Sequence, residues 1–380
     1  MPTKFVLSPR IRKSPFFEAT VRHGAKTFSV YNRMYLPFGY ADPETEFWNI
    51  VRHVTLWDVA VQRIVEITGP DALAFANLLT PRDLTACAVG QCKYVLITNP
   101  DGGIVNDPVL LRLGEDRFWL SRADSDLLLW TQGVAVHANL EVRVAEPDVS
   151  ALQLQGPKSR AVMEALLGVE RFGLAYFTMT EAEIDGIPVV VSRTGWTAEL
   201  GYEIYLRDSA RADDLWERIM AAGADHGISP ASPSRIRRIE AGIYDYGVDI
   251  DASVNPYEAG LEWAVNLDRG GNFVGKAALT RIAAAGITRR MAGIEVGGAP
   301  LDYNGEPLPV MKAGGAGRIG TVTSCVYSPR LKKNIGYAML PLADTKPGTE
   351  RTVETSDGVR PLTVVEKPFF DPQKKLARES

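Results

Sequence analysis

Residues 94–112, YVLITNPDGGIVNDPVLLR, are the stretch around which the rest of the chain is organised. They predict two strands joined by a glycine turn, with Asn106 and Asp107 inside an otherwise apolar second strand. A carboxylate in such a strand is costly to desolvate unless a partner compensates its charge. Asp107 is therefore either paired within the protein or directed toward a ligand. Pro108 cannot donate to a sheet, so it predicts either a bulge or an edge in the second strand, and a bulge would redirect the Asp107 side chain.

A strand–turn–helix pattern occurs on both sides of this hairpin. Gly69-Pro70 opens GPDALAFANLLT and Gly156-Pro157 opens GPKSRAVMEALLG, each after a short strand. The recurrence predicts two related, interleaved α+β halves that meet near residues 145–155. Together they would form a core over residues 1–285.

The last quarter of the chain has a different pattern. Residues 286–370 consist of short strand-like runs such as GRIGTVTSCVYS, which predict a small β-barrel or jelly-roll domain. Residues 371–380, DPQKKLARES, predict a frayed polar tail. The whole chain is therefore predicted to be of the α+β class.

Composition excludes several classes of protein. The 380 residues are 46% hydrophobic and 23% charged with a net charge of −4, which is typical of a soluble globular protein and not of a nucleic-acid binder. Three cysteines without a CxxC pair and four histidines without ligand spacing predict neither a disulfide framework nor a metal site. No secretory or membrane-spanning segment is evident, so we expect a cytoplasmic protein without a membrane partner. P-loop, Rossmann and nucleophile-elbow motifs are absent from the sequence.

Two further segments carry candidate site residues. In the predicted strand GYEIYL, Glu203 and Tyr205 share one face, either as the polar face of a half-exposed edge strand or as a binding pair. Arg238 flanks an apolar stripe of the predicted helix RIRRIEAG and is either a surface arginine or a ligand for an anion.

The N-terminal region is rich in aromatic residues. Tyr31, Tyr35, Phe38 and Tyr40 lie close together in the sequence. They either pack over the core or form a wall around a substrate, and an aromatic wall suits a cationic group.

The candidate residues bind and orient more readily than they attack. A carboxylate accepts two N–H bonds from a planar amidine-like edge, as a pterin presents, and an arginine suits a glutamate tail. Such a site would catalyse mainly through proximity, which supplies roughly 7–11 kcal/mol in favourable cases.

Several stretches together resemble a known family. GGIVNDP, SRTGWTAELGYEIY, RRIEAG, NPYEAGLEWAV and NFVGKAAL, in that order, resemble the folate-binding aminomethyltransferase (glycine-cleavage T-protein) superfamily over nearly the whole chain. Within it, SPRIRKSPF, VYNRMYLP, GGIVNDPVLL and IRRIEAGIYDYGVD are most similar to the dimethylsulfoniopropionate demethylases. The resemblance implies a cloverleaf of three domains around a central channel, in which tetrahydrofolate binds with its pterin innermost.

The resemblance also implies a reaction. A methyl group would pass from the sulfonium of dimethylsulfoniopropionate to N5 of tetrahydrofolate, giving 5-methyltetrahydrofolate and methylmercaptopropionate. A sulfonium carries its own leaving group, so no general acid is needed. Asp107 would lie beside N5, where it would stabilise positive charge or take the proton.

Other residues receive implied roles in the same way. Glu203 would hold the pterin edge, and Tyr94, Tyr205 and Arg238 fall in matching cofactor-binding segments. The methyl donor would face three aromatic residues, namely Tyr31, Tyr35 and Trp196. Tyr31 would also serve as the proton donor if the methyl donor were an aryl ether.

One segment departs from the demethylase pattern. Where the demethylases have SGWSKQGGYEIY, this chain has TGWTAELGYEIY, so Ala198-Glu199 replaces a lysine–glutamine pair. If this segment borders the substrate, a donor carboxylate would meet a different charge. A quaternary ammonium donor, an aryl methyl ether donor and a T-protein aminomethyl donor are therefore alternatives. A non-enzymatic folate-binding scaffold is disfavoured because Asp107 and Glu203 are both present. The expected partners are a small methyl donor and tetrahydrofolate, and a homodimer is one expected assembly.

Overall fold

The structure is a computed structural model that describes residues 8–169, 172–312 and 317–378. Along these described residues the chain forms ten α-helices, which are α1 (Phe17–Arg22), α2 (Pro43–Arg52), α3 (Ala72–Leu79), α4 (Leu127–His137), α5 (Ser159–Leu167), α6 (Ala212–Ala222), α7 (Arg235–Glu240), α8 (Pro256–Ala259), α9 (Lys276–Ala285) and α10 (Lys375–Arg378).

Two β-sheets form the core of the first two thirds of the chain. The first contains β4 (Val65–Thr68), β5 (Cys92–Tyr94), β8 (Val109–Gly114), β9 (Arg117–Ser121) and β10 (Arg143–Ala145), in the order β10-β4-β9-β8-β5. The second contains β3 (Val54–Asp58), β11 (Ser150–Gln155), β12 (Met179–Ile184), β13 (Ile187–Ser192), β14 (Gly201–Leu206) and β15 (Ile228–Pro230), in the order β12-β13-β14-β11-β3-β15. The pairings within both sheets are antiparallel except that of β15 with β3. Because β3 joins strands from the later part of the chain, the two α+β units are interleaved.

The two sheets face each other across a layer of large side chains. Trp57, Trp119 and Tyr205 belong to one buried cluster, and the rings of Trp119 and Tyr205 are 5.9 Å apart. On the outer faces, α3 and α4 cover the five-stranded sheet and α5 and α6 cover the six-stranded sheet. Along each strand, side chains point alternately to the layer between the sheets and to the outer helices, so both faces of both sheets are covered.

The position of β14 decides between the two interpretations of Glu203 and Tyr205. All six residues of β14 are buried, and the strand lies between β13 and β11. A half-exposed edge strand is therefore wrong, because β14 is an interior strand whose Glu203 side points toward the other sheet.

The two predicted glycine turns have matching geometry. Gly69 follows β4 with φ of +127° and Gly156 follows β11 with φ of +131°. A Cβ atom would lie 2.4 Å from the Glu141 carbonyl oxygen at the first turn and 2.5 Å from the His53 carbonyl oxygen at the second. Both turns therefore require glycine for backbone conformation and for space. The boundary of the two halves near 145–155 stays a prediction.

The C-terminal region forms a closed barrel. Its strands are β16 (Arg289–Val296), β17 (Leu308–Met311), β18 (Arg318–Ser328), β19 (Lys333–Pro341), β20 (Glu350–Thr355) and β21 (Gly358–Val365), in the order β16-β19-β18-β17-β20-β21. Apolar side chains such as Ile294, Val322 and Leu362 fill the barrel interior. The α+β class and the small C-terminal barrel are confirmed.

Two short hairpins complete the sheet structure and correct one prediction. They pair β1 (Thr27–Tyr31) with β2 (Met34–Gly39), and β6 (Ile97–Thr98) with β7 (Ile104–Asn106). The second strand of the opening stretch was predicted to be continuous, but it breaks at Asp107 and Pro108. Its first part, β7, pairs with β6, and its second part, β8, belongs to the five-stranded sheet. Asp107 therefore lies at a junction between two sheets.

The prediction of a frayed tail is wrong for residues 371–378. The short helix α10 buries Ala377, which is 3% exposed and packs against Ala198 and Ala241. Nη2 of Arg193 donates a hydrogen bond to the Ala377 carbonyl oxygen at 2.8 Å. Among the described residues, no helix is both long and apolar enough to cross a membrane.

Candidate functional site

Asp107 is the central acid of the candidate site. The Tyr94 hydroxyl donates a hydrogen bond to Asp107 Oδ2 at 3.0 Å. Burial raises the pKa of Asp107 to about 7, the Tyr94 bond opposes that rise, and the negative charges of Asp245 and Asp249 reinforce it. Although protein surrounds the carboxyl, the residue keeps part of its surface accessible. A carboxyl with these properties can accept and release a proton near neutral pH.

Asn106, the other polar residue of the opening stretch, has a structural role. Its side chain is fully buried, donates to the Ala123 carbonyl oxygen and the Ser125 hydroxyl, and accepts from the Ala123 amide. Asn32 also bonds this loop, because its backbone amide donates to Asp124 Oδ1 at 2.8 Å. Asn106 therefore fixes the loop that carries Asp124 near the β1–β2 hairpin.

Tyr31 faces a group of carboxylates. Burial raises the pKa of Tyr31 well above its ordinary value, and the negative charges of Asp245, Asp107 and Asp124 add to that rise. The structure thus brings Tyr31 into electrostatic range of Asp107, as a shared site requires. With a raised pKa, its hydroxyl keeps its proton and stays neutral, so it can donate a hydrogen bond as well as accept one.

Tyr35 and Trp196 lie in different surroundings. Tyr35 is buried, its ring is 6.0 Å from Phe17, and its hydroxyl accepts a hydrogen bond from the Ser8 amide. Trp196 is half-buried, donates to the Tyr244 carbonyl oxygen at 3.3 Å and lies 5.6 Å from the Arg238 guanidinium. The contacts of Tyr35 are with the N-terminal segment, and those of Trp196 are with α7 and the loop after it.

Arg238 is fully buried, so the surface-arginine interpretation is wrong. Its Nη1 pairs with Asp249 Oδ2, and its Nη2 donates to the Ser324 hydroxyl at 2.7 Å and to the Tyr303 hydroxyl at 3.1 Å. Burial disfavours the charge of Arg238, but the nearby carboxylates of Asp249 and Asp245 outweigh it and raise the pKa. The charge is thus compensated inside the protein, and Arg238 ties α7 to the barrel strand β18.

Glu203 lies in a polar cluster between the two sheets. Its Oε1 accepts a hydrogen bond from Gln153 at 2.8 Å, and its Oε2 accepts from Thr194 and from the Tyr205 hydroxyl at 3.2 Å. Burial raises the pKa of Glu203, and these three hydrogen bonds oppose the rise. Gln62 also lowers the pKa of Glu203 through a side-chain hydrogen bond, so four donors of the protein surround this carboxylate.

Gln153 supplies a second acceptor beside Glu203. Its amide nitrogen donates to Glu203, which fixes the orientation of the amide, and its Oε1 is buried without a hydrogen-bond partner among the described residues. A buried acceptor without a donor is uncommon in folded proteins. The Gln153 oxygen beside Glu203 is therefore an acceptor available to an N–H donor, such as those along the edge of a pterin.

Strand β5 connects this acceptor cluster with Asp107. Cys92, at its start, is within electrostatic range of Glu203, and Tyr94, at its end, bonds Asp107. Residues two apart on a strand point to the same side and are roughly 7 Å apart. Glu203, the predicted pterin ligand, and Asp107, the predicted proton acceptor, therefore lie near opposite ends of the short strand β5.

In the segment that departs from the demethylase pattern, the charged residue Glu199 is paired inside the protein. Glu199 is buried and accepts a hydrogen bond from Arg237 Nε at 2.7 Å, with Arg330 3.5 Å away. Its negative charge is therefore compensated by two arginines of the protein.

Sequence reasoning missed Gln153, Asp124 and Asp245. Gln153 is directly opposite Glu203 in the register of β11 and β14, so a correct strand alignment would have identified it. Asp124 and Asp245 lie in loops, and no periodicity in the sequence marks them. Among the described residues, no group of three or more histidine, cysteine or acidic side chains could hold a metal ion.

Comparison with known proteins agrees with this geometry. Residues 16–269 match the GCVT N-terminal domain family, and residues 289–371 match the glycine cleavage T-protein C-terminal barrel domain family. The chain is 36% identical to dimethylsulfoniopropionate demethylase of Ruegeria pomeroyi, covering 94% of this chain and 97% of that protein. It is 32% identical to an aminomethyltransferase of Symbiobacterium thermophilum, covering 96% and 98% of the two chains.

A solved structure shows the same fold. The glycine cleavage system aminomethyltransferase T of Bartonella henselae superposes with a TM-score of 0.85 at 26% identity, covering 95% of this chain and 99% of that one. The two family matches and these relatives span the described core and the barrel. The chain therefore belongs to the glycine cleavage T-protein family of tetrahydrofolate-dependent transferases.

Proposed function

We propose that this protein is a demethylase that moves a methyl group from a cationic donor to N5 of tetrahydrofolate, with dimethylsulfoniopropionate as the donor. The observation that carries the proposal is the negative environment of Asp107. Asp107, Asp245 and Asp124 act on the same Tyr31 hydroxyl, and together they favour a positively charged group beside it. A sulfonium, unlike an ether, brings that charge to the reaction.

The proposed roles follow from the contacts of each residue. Glu203 and the free Gln153 oxygen would accept N–H bonds from the pterin, which would orient it along β5. Bound tetrahydrofolate would supply the nitrogen that accepts the methyl group. Asp107, held by Tyr94, would take the proton that this nitrogen loses.

Electrons and protons balance in such a transfer without a redox partner. The S–CH3 bond breaks, its electron pair stays on sulfur, and a neutral thioether leaves. Asp107 would hold the proton that the acceptor nitrogen releases on taking up the methyl carbon. Because no other acid is needed, we propose that Tyr31 orients the donor and does not protonate it.

The experiment that tests this proposal is a donor panel. Purified protein is incubated with tetrahydrofolate and dimethylsulfoniopropionate, glycine betaine or a methoxybenzoate, and products are separated by chromatography and identified by mass. We expect 5-methyltetrahydrofolate together with methylmercaptopropionate from the first donor. If none of the three donors yields 5-methyltetrahydrofolate, the proposed function is refuted.

An aminomethyltransferase is the second candidate, because the chain is 32% identical over 375 residues to a protein of that name. A protonated aminomethyl donor would also suit the negative environment of Asp107. The product distinguishes the two reactions, because an aminomethyl donor yields 5,10-methylenetetrahydrofolate and ammonia. Incubation with an aminomethylated lipoyl carrier protein therefore completes the panel.

A further inference from the structure

Arg235 and Asp245 carry opposite charges that form no ion pair within the described residues. The guanidinium of Arg235, at the start of α7, donates no hydrogen bond to any described residue. Asp245, in the loop after α7, accepts no hydrogen bond on its carboxylate within the described chain, and no cationic nitrogen there lies within 4.0 Å of it. Asp245 and Arg235 nevertheless influence each other's charge, so they face a common region.

Two aromatic rings contact the guanidinium of Arg235. The ring centroid of Phe38 is 3.9 Å from the guanidinium carbon and that of Tyr303 is 4.3 Å from it. Both distances are in the range of cation–π contacts, which leave hydrogen-bonding capacity unused. Since no described residue accepts a hydrogen bond from this side chain, its planar set of N–H donors suits a bidentate acceptor such as a carboxylate.

The position of Asp245 is fixed by the buried pair described above. Its backbone amide donates to Asp249 Oδ2 at 2.9 Å, and the same oxygen pairs with Arg238. Asp245 is thus held by the backbone while its carboxylate remains without a donor. Burial raises its pKa to about 6, Arg238 opposes that rise, and the carboxylates of Asp249 and Asp124 add to it.

Tyr303 links Arg235 to the loop that carries Asp245. Its ring contacts the Arg235 guanidinium, and its hydroxyl accepts a hydrogen bond from Arg238. The Asp249 carboxylate that pairs with Arg238 also holds the Asp245 amide. Because Asp245 in turn adds to the raised pKa of Tyr31, Arg235 and Asp245 offer a positive and a negative group on the donor side of the site. A ligand with both charges would satisfy each of them.

We propose that Arg235 binds the carboxylate of a zwitterionic methyl donor whose cationic centre lies beside Asp245, so that Arg235 determines donor specificity. This inference rests on the proposed methyl transfer and adds the requirement that the donor carry a carboxylate. Lysine would not replace Arg235 fully, because an ammonium group does not present a planar pair of donors to a carboxylate.

The test compares a zwitterion with its methyl ester, which keeps the cation and loses the carboxylate. Binding of dimethylsulfoniopropionate, glycine betaine and their methyl esters is measured by calorimetry without tetrahydrofolate, and transfer is measured with it. The proteins are the wild type, Arg235→Gln, Arg235→Lys and the control Arg218→Gln, which removes an exposed arginine of α6 paired with Asp185.

For the wild type we expect the preferred zwitterion to bind about 10- to 100-fold more tightly than its ester, as a charged hydrogen bond provides. In Arg235→Gln this preference should disappear because binding of the zwitterion weakens, while binding of the ester stays within about twofold. Arg235→Lys should retain part of the preference, and Arg218→Gln should retain all of it.

Several results would overturn the inference. Equal weakening of zwitterion and ester, an unchanged preference in Arg235→Gln, or weaker binding of tetrahydrofolate alone would each assign Arg235 to another role. If the wild type forms no 5-methyltetrahydrofolate from any donor, the proposed function fails, whereas the calorimetric comparison still decides the role of Arg235.

Discussion

Replacing Asp107 with asparagine should stabilise the fold while it strongly lowers the rate of methyl transfer. The carboxyl has an ordinary pKa of 3.8 and a folded-state pKa of about 7. Between these values the folded state binds more protons than the unfolded state, so stability falls as pH rises through the window and the loss is complete above about pH 7. Asparagine carries no charge and avoids this loss.

The size of the effect follows from the same two values. Each pKa unit corresponds to 1.36 kcal/mol, so the ionised carboxylate costs at most about 4 kcal/mol at pH 8. Asp107 keeps part of its surface accessible, and asparagine can still accept the Tyr94 hydrogen bond. We therefore expect a gain of about 2 kcal/mol at pH 8, and a smaller gain at pH 5.

Urea unfolding of the wild type and Asp107→Asn at pH 5 and pH 8 measures this difference. Asp101→Asn is the matched control, because Asp101 is exposed in the turn between β6 and β7. The control should change stability little at either pH. A gain for Asp107→Asn that is the same at both pH values, or a loss of stability at pH 8, would refute the burial argument.

Three further predictions concern pH, cofactor binding and the departing segment. Wild-type kcat/KM for methyl transfer should rise with pH through about 7 as Asp107 loses its proton, and Asp107→Asn should show no such rise in a pH–rate profile. Glu203→Gln should weaken tetrahydrofolate binding about 10- to 100-fold in a fluorescence titration, because one acceptor becomes a donor; unchanged affinity would place the pterin elsewhere. Glu199→Ala should lower the free energy of unfolding by about 3–5 kcal/mol, because it leaves Arg237 buried without its nearest carboxylate. Urea unfolding measures this loss. A change in donor preference without loss of stability would contradict the structural role of Glu199.

The sequence predicted the main architectural features for identifiable physical reasons. Helical periodicity after Gly69 and Gly156 marked α3 and α5, and those glycines are required by their conformation and close contacts. Short alternating strands after residue 286 marked the barrel. Local patterns of this kind depend on neighbouring residues alone, so they can be recognised without the tertiary structure.

The site was predictable only in part. Asp107 attracted attention because a carboxylate in an apolar run is costly, and the structure does give it a raised pKa. For Glu203 the sequence left an edge strand and a binding pair as alternatives. The strands that flank a given strand in a sheet cannot be read from its own sequence. From the sequence, the negative charge of Glu199 was expected to affect a donor carboxylate if the segment borders the substrate. The structure instead places Arg237, from another element, beside the Glu199 carboxylate.

The sequence by itself determined the fold class, the glycine turns and the presence of a buried acid at Asp107, because each depends on short-range pattern or on composition. The tertiary structure alone decided which charges are compensated. Arg238 pairs with Asp249 and is structural, whereas Arg235 and Asp245 form no ion pair with any described residue. Pairing is set by residues brought together from different elements, and burial then makes each unpaired charge energetically important.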